Sequence, residues 1–286
     1  MPIDFIKGVH TNIDVHTLLK NNKLHFKSDY SHRTSEVYPV KVAKYKGLKF
    51  TIIGKYLKIE GSLHKFKNNG KQNHDDFTYS DLVKVINELE ELLQIDCSLV
   101  SLENVEFGVN LLMEWESSLI LQHLISYSTT EFRNAAIKSG TYKTAILDDF
   151  QPKVYDKAVQ YSLLYNLLRL EIHVNKMRYV QSTGIKTLAD LKNKTKLMLL
   201  RLLLIEVWEK IFLFDWTIHK EKGKQAIGVE QFYQMQQFSF WKGLNNKQRY
   251  KQRNKYKTKL VVPFSQNVHE QITKKIFEKF DFLINN

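Results

Sequence analysis

The two stretches that decide the fold are KVYDK at residues 153–157 and LLRLEIHV at residues 167–174. From Leu168 to Asn175 apolar and polar side chains alternate strictly, which is typical of a β-strand with one buried and one polar face. The polar face carries Glu171 and His173, two residues apart and pointing the same way. The pattern therefore predicts a strand on which a carboxylate and an imidazole can both reach one metal ion.

The shorter stretch predicts a second strand, with Lys153, Tyr155 and Lys157 on a common face. A phenol has a pKa of about 10 in water and is a weak nucleophile at neutral pH. A tyrosine that attacks a phosphate therefore needs help. The flanking lysines can lower its pKa or hold adjacent phosphates.

A third alternating stretch covers residues 104–111. Its polar side carries Glu106, one more carboxylate, and also Gly108. Because glycine has no side chain, this position leaves room for a ligand or another backbone to come close. The stretch therefore predicts a third strand that adds a carboxylate to the same site.

The order of these patterns along the chain predicts an α+β fold. Residues 37–67 are rich in β-branched and aromatic residues with glycines between the runs, as in successive antiparallel strands. Helical spacing predicts one helix from about Thr78 to Leu93 and another from about Ser117 to Ser126. We expect an antiparallel sheet with helices on one face. Since each half supplies strands and a helix, an internal pseudo-duplication is also expected.

The character of the sequence changes after Gly184, which suggests two regions, 1–190 and 191–286. A leucine-rich helix is expected over residues 188–214, followed by polar breaks and a basic, helical region. A charge at every four or five positions of residues 197–214 favours a buried amphipathic helix over a membrane span.

Composition indicates a nucleic-acid partner. The chain has 286 residues, 43% of them hydrophobic, a net charge of +13 and a single cysteine, Cys97. The hydrophobic fraction allows a substantial core, and the net charge favours nucleic acid over acidic lipid as the partner. With one cysteine, neither a disulfide nor a thiolate zinc site can form within the chain. The alternative is that the charge serves only solubility. With no secretion signal at residues 1–14, we expect a reducing cytoplasm.

The most basic segment is residues 241–260, which contain eight lysines and arginines and no acidic residue. Such a segment suits an arm that follows phosphates and stacks aromatic groups on bases. The alternative is a solvated helix face or loop. The candidate phosphate contacts are Lys247, Arg249, Lys251, Arg253, Lys255 and Lys257, and the candidate stacking residues are Tyr250 and Tyr256.

The run YNLLRLEIHVNKMRYVQSTGIKTLADL at 165–191, preceded by KVYDK, resembles the replication initiators of filamentous phages and of rolling-circle plasmids. The stretch YLKIEGSLHKFKNNG at 56–70 resembles the family's N-terminal segment. The resemblance covers roughly residues 45–195. It implies that Tyr155 becomes covalently attached to DNA, that Glu171 is the acidic strand residue, and that Glu106 is the acid of an earlier strand.

The chain departs from the family pattern at three positions. Glu106 stands where aspartate is common, Asn104 where a basic residue is often seen, and His173 where arginine or lysine is frequent. The chain has no histidine–hydrophobic–histidine motif, although Glu171 to His173 can substitute for it. The role of His173 as a ligand is therefore an interpretation of the spacing in this sequence, and the resemblance to the family does not imply it.

The resemblance implies a nicking endonuclease domain over residues 1–190 and a DNA-binding region over 191–286. Tyrosine attack at an origin would leave a 5′-phosphotyrosyl link and a 3′ hydroxyl that primes synthesis, and the strand would later be rejoined. We expect Mg²⁺ or Mn²⁺ at Glu106, Glu171 and His173 because hard oxygen ligands favour these ions. The expected partners are single-stranded or supercoiled origin DNA, a host helicase and a DNA polymerase in a bacterial cytoplasm.

Three alternatives stay open. Tyr161 and Tyr165 are rivals to Tyr155, either as the nucleophile or as a second one. A non-catalytic protein for origin binding or replication control can use the same fold. A metal-dependent nuclease that uses water would form no covalent adduct.

Asp148 and Asp149 are expected in a turn.

Overall fold

The two strands that alternate most regularly in sequence lie at the centre of the fold. They are β6 (Ser101–Leu112) and β12 (Leu167–Val174), which pair antiparallel with Phe107 opposite Ile172. Apart from the exposed Leu112 at the end of β6, their apolar side chains are buried, as the alternation predicts. The computed structural model describes residues 3–30, 37–137 and 140–286.

Within the described residues, ten strands form one sheet in the order β2-β3-β4-β5-β1-β6-β12-β11-β10-β9. The other strands of this sheet are β1 (Ile3–His10), β2 (Lys27–Tyr30), β3 (Val37–Tyr45), β4 (Leu48–Ile53), β5 (Tyr56–Ser62), β9 (Arg133–Ile137), β10 (Gly140–Thr144) and β11 (Phe150–Asp156). A smaller sheet contains β7 (Leu124–Tyr127), β8 (Thr130–Glu131) and β13 (Ile211–Leu213). All these neighbours pair antiparallel, so the predicted sheet type is confirmed.

The strand order is symmetric about the β1–β6 pair. The first half starts at the centre of the sheet with β1 and continues at the edge with β2. From there it returns through β3 and β4 to β5, which pairs with β1. The second half repeats this path from β6 through β9, β10 and β11 to β12, beside β6. The topology therefore agrees with the internal pseudo-duplication expected from the sequence.

The helices follow the strands in both halves. They are α1 (Val15–Leu19), α2 (Leu63–Lys67), α3 (Tyr79–Leu93), α4 (Ser117–His123), α5 (Lys157–Tyr161), α6 (Lys194–Lys210), α7 (Lys220–Ile227), α8 (Val229–Gln234), α9 (Phe238–Lys242), α10 (Asn246–Tyr256), α11 (Val262–Phe264) and α12 (Val268–Asn285). Helix α3 has the expected bounds because Thr78 and Asp81 form a capping box at its start.

Two helices are shorter than expected. The leucine-rich helix α6 starts only after Asn193, whose side chain accepts from the Lys196 amide, and it ends at Lys210 because residues 211–213 pair with β7. Helix α4 ends at His123 for the same reason, since the following residues form β7. No helix in the described part of the chain is long and apolar enough to cross a membrane.

One apolar core joins the sheet to several helices, among them α3, α6 and α12. Leu89 of α3, Leu200 of α6 and Phe280 of α12 are fully buried in it together with the central strands. The predicted helix layer is therefore confirmed. A second apolar cluster, which includes Phe212 and Trp241, lies in the C-terminal region. The division at residue 190 stays a prediction, and α6 and α12, which follow it, share the core of the sheet.

Gly108 sits where β6 and β12 come closest. It lies opposite Glu171, and a Cβ atom at Gly108 would overlap the Leu170 carbonyl oxygen and come within 2.6 Å of Glu171 Cα. Of the two uses expected for this position, the structure shows the approach of another backbone.

The Gly108→Ala variant is expected to lose about 3 kcal/mol or more of its free energy of unfolding, because β6 and β12 would have to separate. Urea denaturation measures this loss. The matched control is Gly243→Ala, where φ is −71° and the nearest atom to an added Cβ is 3.8 Å away. We expect the control to change stability by less than about 0.5 kcal/mol. Equal losses in the two variants would contradict the close approach of β12.

Candidate active site and nucleic-acid interface

Strand register brings the predicted site residues onto one surface of the sheet. Lys153 lies opposite Glu171 in the β11–β12 pair, and Tyr155 follows two residues along β11. On the other side of β12, His173 lies opposite Glu106. Side chains two residues apart on a strand share a face. We call this surface of β6, β12, β11 and β10 the polar face.

One end of the polar face holds a half-buried cluster. His173 Nδ1 donates to Glu106 Oε1 at 2.5 Å, and Lys153 Nζ donates to the same oxygen at 2.9 Å. Asn104 Nδ2 donates to His173 Nε2 at 3.1 Å. With the Asn104 side-chain amide in this orientation, both ring nitrogens of His173 are hydrogen-bonded and the ring proton is on Nδ1.

The charges of this cluster stabilise each other. Burial would raise the pKa of Glu106, but the hydrogen bond from His173 and the Lys153 ammonium hold it below its usual value. Burial likewise opposes the charge on Lys153, yet the Glu171 and Glu106 carboxylates raise the pKa of that lysine. At neutral pH the site therefore contains an ionised Glu106 paired with a charged Lys153.

The other end of the polar face holds a buried cluster. Tyr155 Oη donates to Glu171 Oε2 at 3.0 Å, and Arg169 Nε donates to the same oxygen at 3.1 Å. Lys157 Nζ donates to Tyr155 Oη at 3.4 Å, and Asp4 Oδ2 lies 3.5 Å from Arg169 Nη2. Each of these five residues is at most 8% exposed.

Burial governs ionisation in this cluster. It raises the pKa of Tyr155 well above the usual value, and the Glu171 carboxylate raises it further. Burial, followed by repulsion from Arg169, lowers the pKa of Lys157 to about 8. At neutral pH Tyr155 is therefore a neutral phenol that donates to Glu171, and not a phenolate.

Two chain segments cover the buried cluster. In the segment between α2 and α3, the carbonyl oxygens of Asn73 and His74 accept from Asn110 Nδ2 at 3.3 and 3.1 Å. Asn73 Nδ2 also donates to Asp4 Oδ2 at 2.7 Å. On helix α5, Tyr161 Oη donates to Asn73 Oδ1 at 2.7 Å. These contacts close the polar face over Tyr155.

Sequence reasoning missed several members of this cluster. In the sequence Asn110 and Arg169 are only polar positions of alternating strands. Asp4 and Asn73 come from distant segments, and no local pattern marked them. Only the tertiary structure identifies these two residues, because each becomes part of the site only when β1 and the α2–α3 segment approach β12.

The remaining candidates lie around the edge of the site. Strand β11 ends at Asp156, whose Oδ1 accepts from the Val159 amide at 3.1 Å and caps α5. Tyr165 is 47% exposed in the connection between α5 and β12. Asp149 Oδ1 accepts from Arg178 Nη2 at 2.6 Å, and Asp149 is not part of the site. Of the tyrosine rivals, only Tyr161 touches the buried cluster.

The side chains predicted to bind a metal are already paired with cations. Lys153 Nζ lies 2.9 Å from Glu106 Oε1 and 3.7 Å from Glu171 Oε1, and Arg169 binds the other oxygen of Glu171. Both ring nitrogens of His173 are engaged. Among the residues that the structure describes, no group of three or more His, Cys, Asp or Glu is arranged to hold a metal ion. In this arrangement the donor set does not fit a divalent metal.

The basic segment forms α10 and the π-helical turn Lys257–Val261 that follows it. The exposed lysines of residues 241–260 are Lys242, Lys247, Lys251, Lys257 and Lys259, and Tyr250 is 70% exposed. The exposed lysines among the predicted contacts are Lys247, Lys251 and Lys257.

Other members of this segment have structural partners. Arg249 Nη2 donates to the carbonyl oxygens of Trp241 and Leu244, and Arg253 Nη2 donates to that of Lys210 at 3.3 Å. Lys255 Nζ donates to Gln231 Oε1 at 2.5 Å.

Tyr256, which is predicted to stack on bases, is buried, and its stacking role stays a prediction. Its ring is buried in the second apolar cluster, and its hydroxyl accepts from the Asp215 amide at 2.6 Å and donates to the Leu213 carbonyl. A base could reach this ring only if the cluster opened. The sequence does not indicate this burial, because the neighbours of Tyr256 on α10 are mostly basic or polar.

Comparisons with known proteins include a similar solved structure. No protein-family model matches the sequence, and no curated protein sequence matches it. The solved structure is that of a rolling-circle replication initiator protein from Geobacillus stearothermophilus, with a TM-score of 0.44 and 12% sequence identity. The alignment covers 82% of this chain and 95% of that one.

Proposed function

We propose that this chain is a replication initiator that nicks one DNA strand by transferring it to a tyrosine of the polar face. The observation that carries the proposal is the set of contacts between phenol, carboxylates and cations on one face of the sheet. Tyr155 Oη lies 3.0 Å from Glu171, and Lys153 Nζ lies 2.9 Å from Glu106. Strand transfer needs a phenol to attack, a group to take its proton, and cations for the phosphate.

In the proposed reaction a phenol oxygen bonds to the scissile phosphorus while the bond from phosphorus to the 3′ oxygen breaks. The products are a 5′-phosphotyrosyl link and a 3′ hydroxyl. Because the phosphodiester is exchanged and not hydrolysed, the reverse attack can rejoin the strand. The 3′ hydroxyl would prime rolling-circle synthesis by a DNA polymerase, with a helicase separating the strands.

The sequence resemblance assigns the attack to Tyr155, with Lys153 and Lys157 in support. This assignment stays a prediction. Tyr155 is 8% exposed and its hydroxyl is hydrogen-bonded to Glu171. To meet a phosphate, it would have to be uncovered by α5 and the α2–α3 segment.

Mg²⁺ or Mn²⁺ at Glu106, Glu171 and His173 also stays a prediction of the sequence. An ion there would replace the Lys153 ammonium between the two carboxylates. The steps above are therefore written without it. Chelation during the nicking assay tests the prediction directly.

The second candidate function is origin binding or replication control without chemistry. The burial of Tyr155 within a hydrogen-bonded cluster favours it, because structural clusters of this kind also hold a fold together. Both candidates use the exposed lysines of the basic segment to bind DNA.

A covalent-capture assay separates the two candidates. The full chain is incubated with single-stranded oligonucleotides of random sequence, with magnesium chloride or with EDTA, and then denatured in detergent. We expect a protein band of reduced mobility that nuclease treatment restores. DNA retention without such a band would support the binding protein, and an equal yield in EDTA would contradict the metal prediction.

A further inference from the structure

Tyr142 is the other phenol of the polar face. It lies on β10 directly opposite Tyr155, and the two rings form an edge-on contact with centroids 6.3 Å apart. Cross-strand partners point to the same side of a sheet. Tyr142 therefore shares the polar face with Tyr155, one strand closer to the edge of the sheet.

The two phenols differ in access to a substrate. Tyr155 is 8% exposed and lies beneath α5, with its hydroxyl held by Glu171 and Lys157. Tyr142 is partly exposed, and its neighbour on the outer strand β9 is Ala135, which offers only a methyl group. In the described sheet only β9 lies between Tyr142 and the edge.

A cation stands beside Tyr142. Lys153 pairs with Thr144, two residues from Tyr142 on the same side of β10, so the two side chains are diagonal neighbours across the strands. The Lys153 ammonium belongs to the half-buried cluster, where it donates to Glu106 Oε1 at 2.9 Å.

We propose that Tyr142 is the residue that attacks the scissile phosphate, and that Lys153 holds the phosphate beside it. This inference rests on the proposed nicking function and changes the attacking residue that the sequence resemblance assigns. The Tyr142 oxygen bonds to phosphorus and its proton leaves to solvent. The bond from phosphorus to the 3′ oxygen breaks, and that oxygen takes a proton from solvent and leaves as a hydroxyl.

Peptide mapping of the covalent adduct tests this assignment in the unaltered protein. Trypsin cleaves after lysine, so Tyr142 falls in the peptide 139–143 and Tyr155 in the peptide 154–157. The full chain is captured on random single-stranded oligonucleotides with magnesium, digested with trypsin and nuclease, and analysed by mass spectrometry. We expect the nucleotide mass on peptide 139–143.

Substitution supplies an independent readout. We expect Tyr142→Phe to abolish the adduct, because only the attacking oxygen is removed. The control Tyr56→Phe changes a tyrosine that is 54% exposed on β5 and should keep the wild-type yield. Thermal melting checks that both variants are folded.

The outcomes separate this inference from the proposed function. A nucleotide on peptide 154–157, or a full yield from Tyr142→Phe, overturns the assignment to Tyr142 and leaves nicking in place. If the wild-type protein forms no adduct at any tyrosine, the proposed function fails and this inference fails with it.

Discussion

Replacing Arg169 with methionine is expected to cost about 3–5 kcal/mol of the free energy of unfolding at neutral pH. Arg169 is 2% exposed, and its guanidinium contacts Glu171 at 3.1 Å, Asn110 at 3.3 Å and Asp4 at 3.5 Å. Methionine fills similar space but leaves two carboxylates buried without their shared cation. Such an uncompensated charge is far more costly than the loss of a surface ion pair.

The pH dependence of this loss has a definite sign. Burial would raise the pKa of Asp4, but attraction by Arg169 and then Lys157 lowers it below the usual value in the folded protein. A carboxyl group with a lowered folded pKa stabilises the protein above its unfolded pKa and loses that contribution as the pH falls through the folded value. The gap between wild type and Arg169→Met should therefore shrink below about pH 4.

The matched control is Arg178→Met. Arg178 also binds a carboxylate with two nitrogens, at 2.6 and 2.9 Å from Asp149, but its side chain is 64% exposed. Exposed pairs contribute about 0–1 kcal/mol. Urea denaturation of both variants between neutral and acid pH measures the difference. A loss at Arg169 no larger than that at Arg178 would show that the cluster does not need its guanidinium.

Neutralising four exposed lysines of the basic segment is expected to weaken DNA binding by about two to three orders of magnitude near 0.1 M salt. Each lysine that contacts a phosphate releases condensed counterions, which contributes about 0.7 to 0.9 to the slope of log K against log salt. The slope should therefore flatten by about three units. The lysines changed to glutamine are Lys247, Lys251, Lys257 and Lys259.

The control removes the same charge elsewhere. It changes four other exposed lysines to glutamine, namely Lys20, Lys23, Lys55 and Lys71. Fluorescence anisotropy with a single-stranded oligonucleotide at several salt concentrations measures both slopes. If the two quadruple variants lose the same slope, the DNA attraction comes from net charge and not from this segment. An unchanged slope in the first variant would make the segment a solvated surface.

Local patterns in the sequence determined where the central strands β6, β11 and β12 form and which side of each is polar. The alternation in residues 168–175 depends only on neighbouring side chains, because successive residues of a strand point to opposite faces. It therefore predicted the common face of Glu171 and His173, and the missing side chain of Gly108 predicted a close approach. The basic composition similarly predicted a polyanionic partner without reference to the fold.

Only the tertiary structure decided which polar side chains meet and which are covered. Asp4 and Asn73 join the site because β1 and the α2–α3 segment approach β12, and no local pattern encodes that approach. The same packing buries Tyr155 under α5 and leaves Tyr142 at the open side of the polar face. Access and ionisation depend on these distant contacts, since burial changes the solvation of every charge it covers.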